Sequence, residues 1–251
     1  MKKDKKIDTN KTASKNKKTP KDKKRLVYLI ISTIILLVVI DAISLYVYLN
    51  KDNKNYQLEV NASNFVSEVD NPYFALDPGA TYTYESETED GIEKNVVIVT
   101  NKKKEILAIE TTVVWDRVWL DDELIEETYD WYVQDKEGNV WYFGEDSKEY
   151  ENRKVVSTAG SWEAGVDGAE PGIIMKANPK PGDKYRQEYY KDVAEDMAEV
   201  VALKESVTVP YGTFTNCLKT KDWNPLEKGS EEYKYYCKEI SNLVLEVVID
   251  S

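Results

Sequence analysis

Leu26 to Leu49, read with its flanks as "RLVYLIISTIILLVVIDAISLYVYLN", contains one ionisable side chain, Asp41. No other feature of the chain restricts its fold so strongly. Coiled as an α-helix, the 24 residues extend roughly 36 Å, enough to cross the hydrocarbon of a bilayer. Ahead of it, Met1 to Arg25 holds eleven Lys and one Arg against three Asp, a net charge of +9. The whole chain carries −12, so everything after Arg25 carries −21. The positive-inside bias keeps the Lys-rich tail cytoplasmic and sends the acidic body out of the cell. The pattern therefore predicts a cell-membrane protein that spans once. Its expected parts are a basic tail over 1–25, a signal-anchor helix over 26–49, a polar tether over 50–70 and an extracytoplasmic domain over 71–251.

Asp41 carries two readings. As part of an anchor it lies about 12 Å of helix rise from Leu49 and would serve a helix or partner contact. Alternatively, Leu26 to Ile40 is a signal-peptide core, with Ala42-Ile43-Ser44 as its small-x-small cleavage site. Apolar residues resume after Asp41 and the basic head is long for a signal peptide, which favours the anchor.

The chain has no histidine, which removes Ser-His-Asp and Cys-His catalysis and His-ligated zinc. An acidic body is the wrong sign for a phosphate backbone, so no nucleic-acid partner is expected. No Gly-rich phosphate loop, dinucleotide fingerprint or calcium-loop pattern occurs, so neither a cofactor nor a metal is expected.

After Asn71 the chain alternates in short apolar-polar runs separated by turn residues, the mark of β-structure. Strands are expected over 80–87, 94–100, 105–120, 124–134, 140–150 and 155–162. Five more follow over 184–190, 197–209, 213–223, 230–238 and 243–249. "NKKK" (Asn101 to Lys104) is read as a turn. Gly160 to Asp183, with five Gly and three Pro, is read as one long ordered loop. The fold class this predicts is mainly β: an antiparallel half-barrel or open barrel of about ten strands, preceded by one transmembrane helix.

"DWYVQDKEGNVWYFGED" (Asp130 to Asp146) is the most distinctive stretch. Asp135 and Gly138 suit a type I turn followed by a left-handed glycine. That turn pairs Val133 with Trp141 and Trp131 with Phe143 on one face. Tyr132 with Tyr142, and Gln134 with Val140, fall on the other. The Trp131 face is expected to be core. The face of Asp130, Tyr132 and Tyr142 is the candidate ligand-binding groove. The loop residues Trp162, Glu163 and Asp167 complete the candidate set, mixing aromatic and acidic character.

Cys217 and Cys237 flank a turn near Pro225 to Gly229. A hairpin centred on Glu227 sets them directly opposite one another. Two outcomes fit that register: a disulfide, at home outside the cytoplasm, or two small buried apolar side chains. A catalytic thiol has no His to activate it.

The blocks "NPYFALDPGATYTYE", "DWYVQDKEGNVWYFGEDSKEYE", "GSWEAGVDGAEPGIIM", "YRQEYYKDVAEDMAEV" and "VTVPYGTFTNCLKTKDWNPLE" resemble a family of uncharacterised exported and lipoprotein-like bacterial β-rich proteins. The resemblance runs from about Asn71 to the C-terminus. More loosely, "VPYGTF", "KYY" and "LVLEV" are similar to the closing strands of half-barrel, lipoprotein-carrier-like domains, which implies a concave surface able to hold lipid. This chain departs from the family in two places. A membrane anchor stands where relatives carry a lipidated Cys, and "CKEISN" stands where they have a Gly-containing turn.

The function expected from these readings is non-enzymatic, with no catalytic residue. It is a membrane-anchored binding or envelope-associated module, its partner an apolar ligand or an envelope protein. Two alternatives stand beside it. One is a hydrolase acting on envelope glycans through carboxylates such as Glu145, Asp146, Glu163 and Asp167. The other is an accessory subunit of a membrane complex, held through Asp41.

Overall fold

A computed structural model of the chain describes residues 60–249. The expected tail, membrane helix, Asp41 and most of the tether lie outside them. Among the described residues no helix is long and apolar enough to cross a membrane.

The expected tether ends earlier than Asp70. Ala62–Asn64 forms a 3-10 turn capped by the Asn61 side chain, and β1 (Phe65–Val66) follows. Phe65 is drawn into the domain because its ring meets Trp141 and Phe143 edge-on, at 6.0 and 5.5 Å between centroids. A small hairpin follows, β2 (Asp70–Asn71) and β3 (Phe74–Ala75). Long antiparallel strands then run as β4 (Thr81–Thr88), β5 (Gly91–Ile106), β6 (Ile109–Leu120), β7 (Glu123–Asp135) and β8 (Val140–Glu151). Shorter pieces succeed them: β9 (Lys154–Ser157), β10 (Trp162–Glu163), β11 (Glu170–Met175), β12 (Lys184–Arg186) and β13 (Glu188–Tyr189). The chain closes with β14 (Met197–Val209), β15 (Gly212–Trp223), β16 (Glu231–Cys237) and β17 (Asn242–Val248).

Every named pairing is antiparallel, and the domain is mainly β with a half-barrel sheet. Ten strands form that sheet, whose main path runs β13-β11-β8-β7-β6-β5-β4. Five form a second in the order β12-β14-β15-β16-β17, and β2 with β3 form a third. One core joins the two large sheets. It sets Val99, Val114, Val140 and Met175 of the first against Ala198, Val200, Leu218 and Tyr236 of the second. Another core covers the first sheet's far face, with Ile106, Val113, Trp131, Val133, Phe143 and Trp162.

The β7–β8 turn forms as its residues dictate. Gly138 takes φ +91°, and Asp135 Oδ1 accepts from the backbone N–H groups of Glu137 and Asn139, both at 2.9 Å. Tyr132 faces Tyr142, Val133 faces Trp141 and Gln134 faces Val140. Beyond Tyr132 a bulge shifts the register, so Asp130 faces Glu145 and the pairing of Trp131 with Phe143 is lost. Both rings stay in the same core.

Two other expectations are corrected. The turn placed at Asn101–Lys104 lies at Leu107-Ala108, both at positive φ, and β5 carries its lysines on through the strand. Gly160 to Asp183 is not one loop, since it contains β10 and β11. Gly172 and Ile173 of β11 pair with Tyr142 and Trp141 of β8. Pro and Gly count against a strand when read locally, but here neighbours on both sides supply the ladder. Gly172 is required there because a Cβ would strike the Gln187 backbone.

In the second sheet Leu218 faces Tyr236 and Lys221 faces Tyr233. Cys217 and Cys237 are joined by a disulfide with Cα atoms 4.3 Å apart, both cysteines fully buried.

Candidate functional site

The Tyr face of the hairpin, expected to be a groove, is covered: Tyr132 packs against the core shared with the second sheet and Tyr142 lies in the other core, with Trp162. Tyr142 is 7% exposed and stacks on Tyr132 at 4.8 Å between centroids. Phe74 packs edge-on against Tyr132 at 5.3 Å. Strand alternation places Asp130, Tyr132 and Tyr142 on one face, but alternation cannot say what lies over that face.

What the face holds is a set of acids. The Tyr142 hydroxyl lies 2.7 Å from Asp130 Oδ1 and 2.8 Å from Glu145 Oε2. One O–H can donate to only one acceptor, so the second short contact needs a proton on a carboxyl. Burial pushes the Glu145 carboxyl up to about 7, against the opposing effect of the Tyr142 hydrogen bond. Burial, then the charge of Glu145, raises Asp130 well above the carboxylate range. Nearby, the Trp162 indole N–H donates to Glu188 Oε2 at 2.8 Å. Glu188 is pushed to about 8 by burial and then by Asp196 and Glu145. Asp116 rises to about 6, chiefly by burial and then by Glu126, although the Asn95 amide donates to it at 2.8 Å. A cation is present further along, where Lys234 Nζ lies 2.7 Å from Glu232, 3.6 Å from Glu246 and 3.9 Å from Asp222.

Glu145 also reaches the outside. Gly144, at φ +128°, lets β10 lie directly on β8, where a Cβ would collide with the Trp162 carbonyl. Trp162 thereby faces Glu145, and Glu163 faces Gly144. Around this crossing opens a shallow depression of about 330 Å³, lined by Lys104, Trp131, Glu145, Asp146, Ser161, Trp162 and Glu163. Lys104 Nζ sits 3.2 Å from the Trp131 ring centroid and pairs with Glu163 at 2.7 Å. Asp146 pairs with Lys148 at 2.7 Å. Of the three carboxylates lining the depression, Glu145 alone has no ion pair among the described residues. Ser161 is held by the Ser147 backbone, accepting from its N–H at 2.9 Å and donating to its carbonyl at 3.1 Å.

The candidate residues thus divide. Trp162 and Glu163 line the depression, Asp130 and Tyr142 lie beneath it and Tyr132 is packed behind them. Asp167 sits exposed on a turn at φ +50° and is not part of the depression's lining. Sequence reasoning missed Lys104, which it had placed in a turn, and Glu188, which it had left as an ordinary strand residue. Among the described residues no group of three or more metal-ligating side chains converges.

No family model matches the chain, and no curated protein does. Among solved structures, a Bacteroides fragilis protein of YmcC-like fold, thought to be exported, is similar at 14% identity. The match covers 71% of this chain and 91% of that one, with a TM-score of 0.40. A likeness that distant carries no argument about function.

Proposed function

We propose that the protein is a membrane-anchored, extracytoplasmic recognition module, and that the depression at Glu145 binds primary ammonium groups carried by envelope polymers. The observation that carries this reading is the unpaired Glu145 carboxyl beside Trp131 and Trp162, in a depression whose other acids already hold lysines. Export is supported by the basic tail ahead of the apolar run and by the buried disulfide, which suits an oxidising compartment. The inner surface, where an apolar ligand would lie, is occupied by Val200, Leu218 and Tyr236.

Full-length protein in lipid nanodiscs, titrated with N-terminally acetylated pentalysine and with the same peptide also acetylated at every Nε, tests the proposal. Pentalysine is expected to bind at least tenfold more tightly, about 1.4 kcal/mol, and Glu145→Gln should lose most of that margin. If Glu145→Gln binds as well as the parent, the attraction belongs to the overall negative charge and the site is wrong.

A second reading, hydrolysis of envelope glycans, draws on one observation: a carboxyl near 7 lining an open depression is placed as a general acid would be. Reducing ends released from purified cell-wall glycan by the parent but not by Glu145→Gln would establish it. Its absence with both proteins would remove it.

A further inference from the structure

Tyr142 connects the depression to a carboxyl that solvent barely reaches. Asp130 is 8% exposed, and its Oδ1 lies 2.7 Å from the hydroxyl whose other contact, at 2.8 Å, is the Glu145 carboxyl in the depression. The surroundings of this trio are mostly acidic. Asp116 on β6 and Glu126 on β7 face Asp130, while Asp196, just before β14, faces Glu145. Glu188 on β13 faces Glu145 as well. On the depression side stand Asp146, and Lys104 already paired with Glu163. Among the described residues no ion pair reaches Asp130 or Glu145. Two ionised carboxylates cannot both sit against one hydroxyl here without a compensating positive charge.

We infer that Asp130, Tyr142 and Glu145 hold one shared proton, and that an ammonium group arriving at Glu145 expels it, so capture of an amine is coupled to proton release. This rests on the depression being the amine site. In the empty protein the proton lies between the two carboxyls, with Tyr142 donating to whichever is ionised. When the ammonium takes its place at Glu145, its charge stabilises the second carboxylate and the proton passes to water. Tyr142 keeps its own hydrogen throughout, and no bond to carbon changes. Affinity for the amine therefore rises with pH across the neutral range, while the ligand itself stays charged.

Calorimetry of pentalysine binding to the full-length protein in nanodiscs, at pH 7 in phosphate and in Tris, counts the protons. Lysine side-chain amines do not titrate in this range and the peptide's N-terminus is acetylated, so any proton released comes from the protein. The expected result is net release in the parent and at least threefold less in Asp130→Asn, where Glu145 has no second carboxyl to share with. Binding without release, or release unchanged in Asp130→Asn, would overturn the coupling and leave recognition standing. No binding at any pH would remove the recognition site itself, and the coupling with it. A ligand-independent measurement separates these outcomes: carbon-13 NMR titration of the side-chain carboxyls in the empty protein. A shared proton makes one of Asp130 and Glu145 ionise below pH 7 and the other above it. Both fully ionised at pH 7 would overturn the inference, whatever pentalysine does.

Discussion

Asp130 is an acid where a strand pattern would place a structural side chain, and its cost can be measured. It is buried with Glu145, Asp116 and Glu126 facing it, and burial raises its carboxyl well above the ordinary range. Asparagine keeps the shape and removes the charge. Asp130→Asn should therefore raise the melting temperature at pH 8, by at least about 3 °C given the usual 2–4 °C per kcal/mol for a domain of this size. At pH 5 the difference should be smaller, because the raised Asp130 carboxyl is increasingly protonated as pH falls. Equal melting curves at both pH values would show that Asp130 is not carrying a buried charge. At this scale the sequence was half legible. Alternation put Asp130 with the two tyrosines, and the turn residues set their register, but burial of Tyr132 depends on a core that includes Leu218 and Tyr236, far along the chain. Trp131, Val133 and Phe143 were readable as core because they are apolar under any covering.

Strand β8 organises the site, and Gly144 is the reason it can. Its φ of +128°, and the Trp162 carbonyl lying where a Cβ would project, leave no room for a side chain. Gly144→Ala should cost on the order of 2–4 kcal/mol, as strain in the left-handed region and as a clash. It should also lift β10 from β8, separating Trp162 and Glu163 from Glu145. Denaturant unfolding checks the first effect. Loss of pentalysine binding at a temperature where the variant is still folded checks the second. Elements were legible wherever turn chemistry was local, as at Asp135–Gly138 and around the turn centred on Glu227. They were missed where the turn is made by unusual residues, as at Leu107-Ala108. They were missed again where a strand is held from both sides despite its composition, as in Glu170–Met175. Lys104 follows from the first of these misses: a lysine assigned to a turn tip becomes, on a continuing strand, the partner of Glu163 and the cap on Trp131.

The whole domain stores protons between its sheets. Glu145 and Glu246 are pushed to about 7 and Glu188 to about 8, all from an ordinary value of 4.5, by burial first. Each binds its proton more tightly folded than unfolded. The stability they contribute is full below pH 4.5 and is lost as pH rises through 7 and 8. Asp183 and Glu232 shift the other way and oppose this at the acid end. The net expectation is a melting temperature higher at pH 5 than at pH 8, on the order of 10 °C. A flat or rising profile between those values would contradict it. What the sequence conveyed at this scale was the charge imbalance and the mainly β character. About ten strands were expected and seventeen form among the described residues, because several short pairings, such as β1, β2, β3 and β10, leave no alternating run long enough to read. It did not convey the division into two sheets, because alternation identifies strands without saying which edges meet or which faces oppose. The disulfide between Cys217 and Cys237 closes one end of the second sheet, and the seam of acids runs through the other. Most folds loosen when their surroundings turn sour, because paired carboxylates lose their partners. This one would tighten, and an alkaline buffer is the condition most apt to unfold it.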